Sequence, residues 1–188
     1  MNQYRIDKSG LWLVLEGWDA YLPRKVRVVA CGGTALTIQD LKASTKDVDF
    51  LVPDDKEYQV LVRTIKKLGY RQATGCGWAR DDGYLFDLFP GKKVFQTELL
   101  DSPLEAGNHV PVKTFKKLAV SALNDYDLVI SKMFRGAAVD FDDCVRLIHA
   151  RGKGFDTERL RARYTETALY EVSTERVMGH LYGLLSRL

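Results

Sequence analysis

The chain has 188 residues, enough for one domain or a compact pair of subdomains around one core, and its 46% hydrophobic and 28% charged residues are those of an ordinary globular protein. No run of about eighteen apolar residues occurs, which argues against a membrane span, and the opening stretch MNQYRIDKSGLWLVLEGW, with Glu16 and Asp19, lacks the basic start and unbroken apolar core of a signal peptide. A formal charge of +3 admits an anionic substrate without indicating nucleic acid, while scattered cysteines (Cys31, Cys76, Cys144) and histidines give neither a disulfide framework nor a zinc pattern and suit a reducing cytoplasm.

In chain order, residues 10–22 place Leu11, Val14, Leu15 and Trp18 on one helical face. KVRVVA (25–30) reads as a strand that ends at Cys31, Gly32 and Gly33, and TALTIQDL follows as a helix with Thr34 near its start. DVDFLV (47–52) is a second strand, stopped by Pro53. Asp54 and Glu57 stand three apart, as in a capping box, before a helix that carries Tyr58, Leu61, Ile65 and Leu68 on one side and ends at Gly69. YRQATGCGWAR and YLFDLF flank Asp81, Asp82 and Gly83 and read as a hairpin. One further strand is expected in KKVFQTELL or in HVPVK. From Phe115 onward the pattern is helical, with helices expected around 124–136, 140–151, 156–170 and 173–187. The chain is therefore read as an α/β (α+β) protein, with a small mixed sheet in residues 1–115 and a helical subdomain in residues 116–188 packed on it.

Asp47 and Asp49 alternate with Val48 and Phe50, so a strand projects both carboxylates from one face. Like charges on a buried face repel and resist leaving water. A hard divalent cation such as Mg²⁺ would offset that cost; a turn cap and a pairing with Lys46 would account for the same residues without one. Asp87 in YLFDLF shares a strand face with Leu85 and Phe89, an awkward place for a lone charge, although an edge strand facing water would tolerate it. If its strand lies beside DVDFLV, three carboxylates converge as in a two-metal site. Gly32, Gly33 and Thr34 stand at a strand-to-helix turn, where glycines let backbone N–H groups approach a phosphate, or simply supply a tight bend.

A strand, GGT, a helix, twelve residues from Ala35 to Lys46, DVD on a strand and a later apolar-Asp-apolar strand at Asp87 together resemble the DNA polymerase β-type nucleotidyltransferase superfamily. The likeness is to its small prokaryotic branch, which includes abortive-infection (toxin–antitoxin) nucleotidyltransferases. It implies a polymerase β-like core in which Asp47, Asp49 and Asp87 are the catalytic residues and bind two Mg²⁺ ions. Gly32, Gly33 and Thr34 would hold the β- and γ-phosphates of a nucleoside triphosphate (NTP). The implied reaction moves a nucleoside monophosphate to an acceptor hydroxyl and releases pyrophosphate. The acceptor is open between a tRNA end, a protein and a small molecule, and a cognate antitoxin or toxin protein is an implied partner. A non-catalytic nucleotide-binding or antitoxin-type module is the alternative that keeps the same fold, and a metal-assisted phosphohydrolase is a third reading.

In LNDYDLVISKMFRG, Lys132 emerges from an apolar helical face beside Leu128 and Val129. It is either a snorkelling lysine or a cation aimed at the triphosphate; the resembling branch carries a lysine on the corresponding helix, and Arg135 is a lesser candidate. VDFDDCVRLI resembles that branch's next motif, but Val139 stands where its arginine is expected. Asp140 and Asp143 match its two acids; alternatively Asp140 is an N-cap with Asp143 in the first turn. RLRAR (159–163) reads as a solvated helix.

Overall fold

The computed structural model describes residues 4–81 and 83–188. Asp82, at the centre of the expected hairpin turn, lies outside them. The chain opens with β1 (Ile6–Asp7) and α1 (Lys8–Tyr21), and Asp7 caps the helix by accepting from the Gly10 N–H at 2.7 Å. β2 (Val26–Ala30) then runs into α2 (Gly32–Ile38), and β3 (Ser44–Thr45) precedes β4 (Asp47–Val52). α3 (Asp55–Lys67) has acidic residues in its first turn and Lys66 and Lys67 in its last, the favourable order for a helix dipole. Its expected capping box is only half made. Asp54 accepts from the Glu57 N–H at 2.9 Å, but the Glu57 carboxylate pairs with the backbone N–H and guanidinium of Arg27 instead.

The hairpin region contributes β5 (Arg71–Gln72), β6 (Gly77–Ala79) and β7 (Leu85–Pro90). Both stretches considered for a further strand are extended: β8 (Lys93–Val94) and β9 (Thr97–Glu98) in the first form a separate small hairpin, and β10 (His109–Thr114) in the second joins the main sheet. β11 (Leu118–Leu123), α4 (Asp125–Arg135), α5 (Ala138–Arg151), α6 (Thr157–Ala168) and α7 (Thr174–Leu185) complete the order. The strand over LAVSAL corrects the expectation of helix from Phe115 onward; helix begins only at Asp125. Ala119, Ser121 and Ala122 carry no β-branched signal, and the strand is imposed by its parallel register beside β2, from Leu118↔Val26 to Ala122↔Ala30.

The main sheet has seven strands in the order β10-β11-β2-β4-β7-β6-β5. It is mixed: β11 and β2 are parallel, β2 and β4 antiparallel, and β4 and β7 parallel. β4 is therefore central, and every residue in it after Asp47 is buried. On one face Phe86 packs against Trp18 and Tyr70, with ring centroids 5.0 and 5.6 Å away, beneath α1 and α3. The opposite face carries Asp47, Asp49 and Asp87; α2 lies over it, and α4 packs against α2. The residues that alternate with the core of one layer thus become the lining of the other.

The C-terminal helices are tied to α4 by polar contacts. Met133 O lies 2.7 Å from His180 Nδ1, and Arg176 donates to Phe134 O at 2.9 Å. Arg163, read as part of a solvated helix, instead forks onto half-buried and buried partners, reaching Asp127 at 2.7 Å and Asp101 at 3.0 Å. Among the described residues no helix is long and apolar enough to cross a membrane.

One buried carboxylate holds α1 to the sheet. Asp19 accepts from the backbone N–H groups of Lys117 and Leu118, both at 2.7 Å, where β11 begins. Asp19→Ala leaves two amide donors unpaired and is expected to cost about 2–3 kcal/mol, read as a lowered midpoint in urea denaturation. An unchanged midpoint would show that this tie contributes nothing to the fold.

Candidate active site

The parallel register of β4 and β7 pairs Asp49 with Asp87 directly, and Asp47 with Leu85 two residues earlier. Paired residues on adjacent strands lie about 4.8 Å apart and project to the same side. Asp49 and Asp87 are therefore neighbours on one face, and Asp47 stands on that face at its open edge. Asp47 is exposed, Asp87 half-buried and Asp49 only 5% exposed. Burial and the adjoining charges of Asp87 and Asp47 push the Asp49 carboxyl up to about 8. Burial also raises Asp87, with Asp47 adding to it. Asp49 Oδ1 is buried and has no hydrogen-bond partner among the described residues.

Two glycines make the room that these carboxylates need. A Cβ on Gly32, which has φ +55°, would meet Asp49 Oδ2, and a Cβ on Gly77 would lie 2.9 Å from Asp87 Oδ1. Gly77 sits opposite Asp87 across the β6–β7 pair, and the Cys76 thiol donates to Asp87 Oδ1 at 3.6 Å. Thr34 is placed differently from its expected phosphate-facing role. It is fully buried, its hydroxyl accepts from the Asp49 N–H at 2.9 Å and donates to Asp47 O at 3.3 Å. Thr45, against Gly33, also donates to Asp47 O at 2.9 Å. These hydroxyls fix the strand that carries the acids, and Gly33 alone of the GGT triplet lines the cleft.

The cleft is a cavity of about 280 Å³ whose wall includes Gly33, Asp47, Asp49, Asp87, Lys132 and Arg135. Arg5, Lys42, Lys46 and Asp143 add further charge around it. Lys132 does reach this cleft, but it is 3% exposed and spans Asp143 at 2.8 Å and Asp140 at 3.4 Å. Lys42 approaches Asp143 from the other side at 3.0 Å. Arg135 forks onto both oxygens of Asp140, with Nε at 2.8 Å. Burial alone would raise Asp140, but the Arg135 hydrogen bonds and the Lys132 charge hold it below the ordinary carboxylate range. A buried pair of this kind is costly to break from one side, about 3–5 kcal/mol, because it strands the other charge.

Asp140 is the third residue of α5 rather than its N-cap, and its carboxylate accepts from the Ala137 N–H at 3.1 Å. The guanidinium that meets Asp140 is that of Arg135, from the end of the preceding helix. Lys42, Arg5 and Phe95 were not foreseen as cleft residues. Lys42 and Asp143 are 101 positions apart, so no local spacing could have paired them. Cys76 and Gly77 were likewise not foreseen as neighbours of Asp87.

Among the described residues, no three or more His, Cys, Asp or Glu side chains are arranged to hold a metal ion by themselves. The orphaned Asp49 oxygen beside two other acids is nevertheless a donor set suited to Mg²⁺, which takes one or two carboxylates and completes its shell with water and substrate phosphates. No family model matches the chain, and no curated protein does. Among solved structures, the crystal structure of ANT(2")-Ia in complex with adenylyl-2"-tobramycin is similar over 96% of this chain and 97% of that one, with 13% identity and a TM-score of 0.46. That degree of similarity leaves the chemistry to be read from this chain's own side chains.

The raised Asp49 has a consequence for stability. The folded chain keeps a proton that the unfolded chain releases, so its contribution is full below the ordinary carboxylate pKa and is lost as pH rises through about 8. With chelator present, the melting temperature is expected to fall from about pH 4 to about pH 8, more steeply than in Asp49→Asn. Parallel profiles for the two proteins would contradict the burial of this charge.

Glycine replacements separate site from scaffold. Gly32→Ala forces a methyl onto Asp49 at positive φ and is expected to cost more than about 2 kcal/mol. Gly17→Ala, in α1 with nothing near its Cβ, should instead raise stability by up to about 1 kcal/mol. Thermal melts of the two variants check the contrast.

Proposed function

We propose that the chain is a metal-dependent nucleotidyltransferase of polymerase β-like design, moving a nucleoside monophosphate from an NTP to an acceptor hydroxyl with release of pyrophosphate. The observation that carries this reading is the pairing of Asp49 with Asp87 across two parallel strands, with Asp47 on the same face and cations around the cleft. Asp47, Asp49 and Asp87 would hold two Mg²⁺ ions, which supply the positive charge that lets three carboxylates and a triphosphate share one site. Lys42, Lys132 and Arg135 are placed to face the polyphosphate, and the Gly33 backbone lets it approach the start of α2.

Half-buried Asp87, with its raised pKa, is suited to take the proton of the acceptor hydroxyl. The acceptor oxygen bonds to the α-phosphorus, and the bond from that phosphorus to the bridging oxygen of the β-phosphate breaks. Pyrophosphate leaves along the cationic wall. Thr34 and Thr45 act one step removed, holding the Asp47–Asp49 backbone in register. In this reading the sheet half is the catalytic core, and the helices that follow supply the cationic side of the cleft. The acceptor belongs to one of three classes, a tRNA end, a protein hydroxyl or a small molecule. The motif resemblance supports a toxin–antitoxin setting with a cognate protein partner.

The test is to incubate the chain and Mg²⁺ with each α-labelled NTP and acceptors of all three classes. Transfer of label with pyrophosphate release is expected, and Asp47→Asn and Asp49→Asn should each lower turnover by at least about 100-fold while the chain still folds. NTP binding without transfer, unchanged by either substitution, would favour a non-catalytic binding module. Release of inorganic phosphate in place of pyrophosphate would favour a phosphohydrolase.

A further inference from the structure

Among the described residues, Phe95 is the aromatic one in the wall of the carboxylate cleft, and its backbone is unusual. β8 and β9 pair Val94 with Thr97, leaving Phe95 and Gln96 as a two-residue connection. Phe95 takes φ +53° there, a left-handed conformation in which glycine is the ordinary choice at such a turn. A bulky side chain held at positive φ is strained, and strain of this kind persists where the surroundings fix the residue for another purpose. The surroundings do fix it. The ring stands edge-on to Phe89 with centroids 4.9 Å apart, and the Arg135 guanidinium lies 4.7 Å from the ring centre.

The position of this ring is informative. Phe95 and Arg135 line the carboxylate cleft and also a second cavity of about 260 Å³, completed by Gln96, Thr97 and Ser131. The two spaces meet at one aromatic ring and one guanidinium, the two side-chain types on which a planar base stacks. Arg135 already has its charge balanced by Asp140, so its ion pairing does not require the ring. None of the described residues that line the second space is a carboxylate, whereas the first is dense with charge. A nucleotide has the same polarity, an anionic end that needs cations and a flat heteroaromatic end that needs a π-face and a few polar groups.

We propose that Phe95, with Arg135 beside it, is the nucleobase platform of this protein, and that the cavity beyond it receives the base while the triphosphate lies against Lys42 and Lys132. This assignment rests on the nucleotidyltransferase reading and deepens it by separating a base-binding end from a phosphate-binding end. Gln96, whose carboxamide both donates and accepts, is placed at the wall where the edge of a base would present itself.

Binding measurements on the full chain with Mg²⁺ test this, using ATP, GTP, CTP and UTP against inorganic tripolyphosphate, which has the charge but no base. The wild type is expected to bind its preferred NTP more tightly than tripolyphosphate. Phe95→Leu, which keeps apolar bulk and loses the π-face, should weaken that NTP about tenfold and leave tripolyphosphate unchanged. Phe95→Trp should bind the NTP within about threefold of the wild type. If Phe95→Leu binds the NTP as the wild type does, or weakens NTP and tripolyphosphate equally, the ring only supports Arg135 and the platform is refuted. Wild-type binding of tripolyphosphate with no gain from a base refutes it as well, whether or not the leucine variant folds, and leaves the phosphate end intact. A wild type that binds neither ligand overturns the platform and the transferase reading together.

Discussion

Three carboxyl groups crowded on one face of a mostly buried sheet are the constraint around which this protein is arranged. A carboxylate moved out of water and set beside two others prefers to hold a proton, and Asp49 does so up to about pH 8. Such an arrangement subtracts from stability and persists only where the rest of the fold over-determines it. Here the scaffold does so by making β4 central, with β2 and β7 on either side and apolar layers against Val48, Phe50 and Phe86. The glycines at 32 and 77 then remove the side-chain atoms that would occupy the carboxylates' space.

The helical half answers that negative face with positive charge, and it must be held in place to do so. Lys132 and Arg135 come from the last turn of α4, where their charge also suits the helix dipole. Asp140 and Asp143 from α5 clamp them, and Lys42, from the segment after α2, closes the set. Cations clamped this way lose little conformational freedom when an anion arrives, which is how a preorganised site gains from interactions that flexible surface lysines would make weakly. The same clamp explains why Lys132 is neither a snorkelling lysine nor a freely solvated one. Its stem and its charge are both buried, and its ammonium is satisfied within the chain.

Much of the sheet could be read from local pattern, and the particular failures are instructive. DVDFLV and its bounds followed from alternation plus the stop at Pro53, and Asp87 was recognisable as an acid out of keeping with an apolar strand. LAVSAL was misread because small residues signal neither a strand nor a helix, and its state is decided by the register of β2 alongside it. The motif resemblance placed Thr34 at the phosphates, yet its hydroxyl turns inward to the Asp49 amide, a choice that depends on β4 lying behind α2. From spacing alone Asp140 was open between a motif acid and an N-cap. The helix in fact starts earlier, and the acid serves Arg135 and Lys132 as well as the Ala137 amide.

By itself the sequence determined which residues could carry charge on a common strand face, where glycine interrupts the chain, and the order of strands and helices that frame them. Those properties are periodic or local, and side-chain alternation and backbone sterics transmit them over a few residues. The tertiary structure alone decided that Asp87 meets Asp49 in register, that Lys42 reaches Asp143, and that Phe95 stands between two cavities. Each of these is a contact between segments far apart in the chain, set by which strands neighbour one another and which helices lie over them, and no spacing within a single segment encodes it.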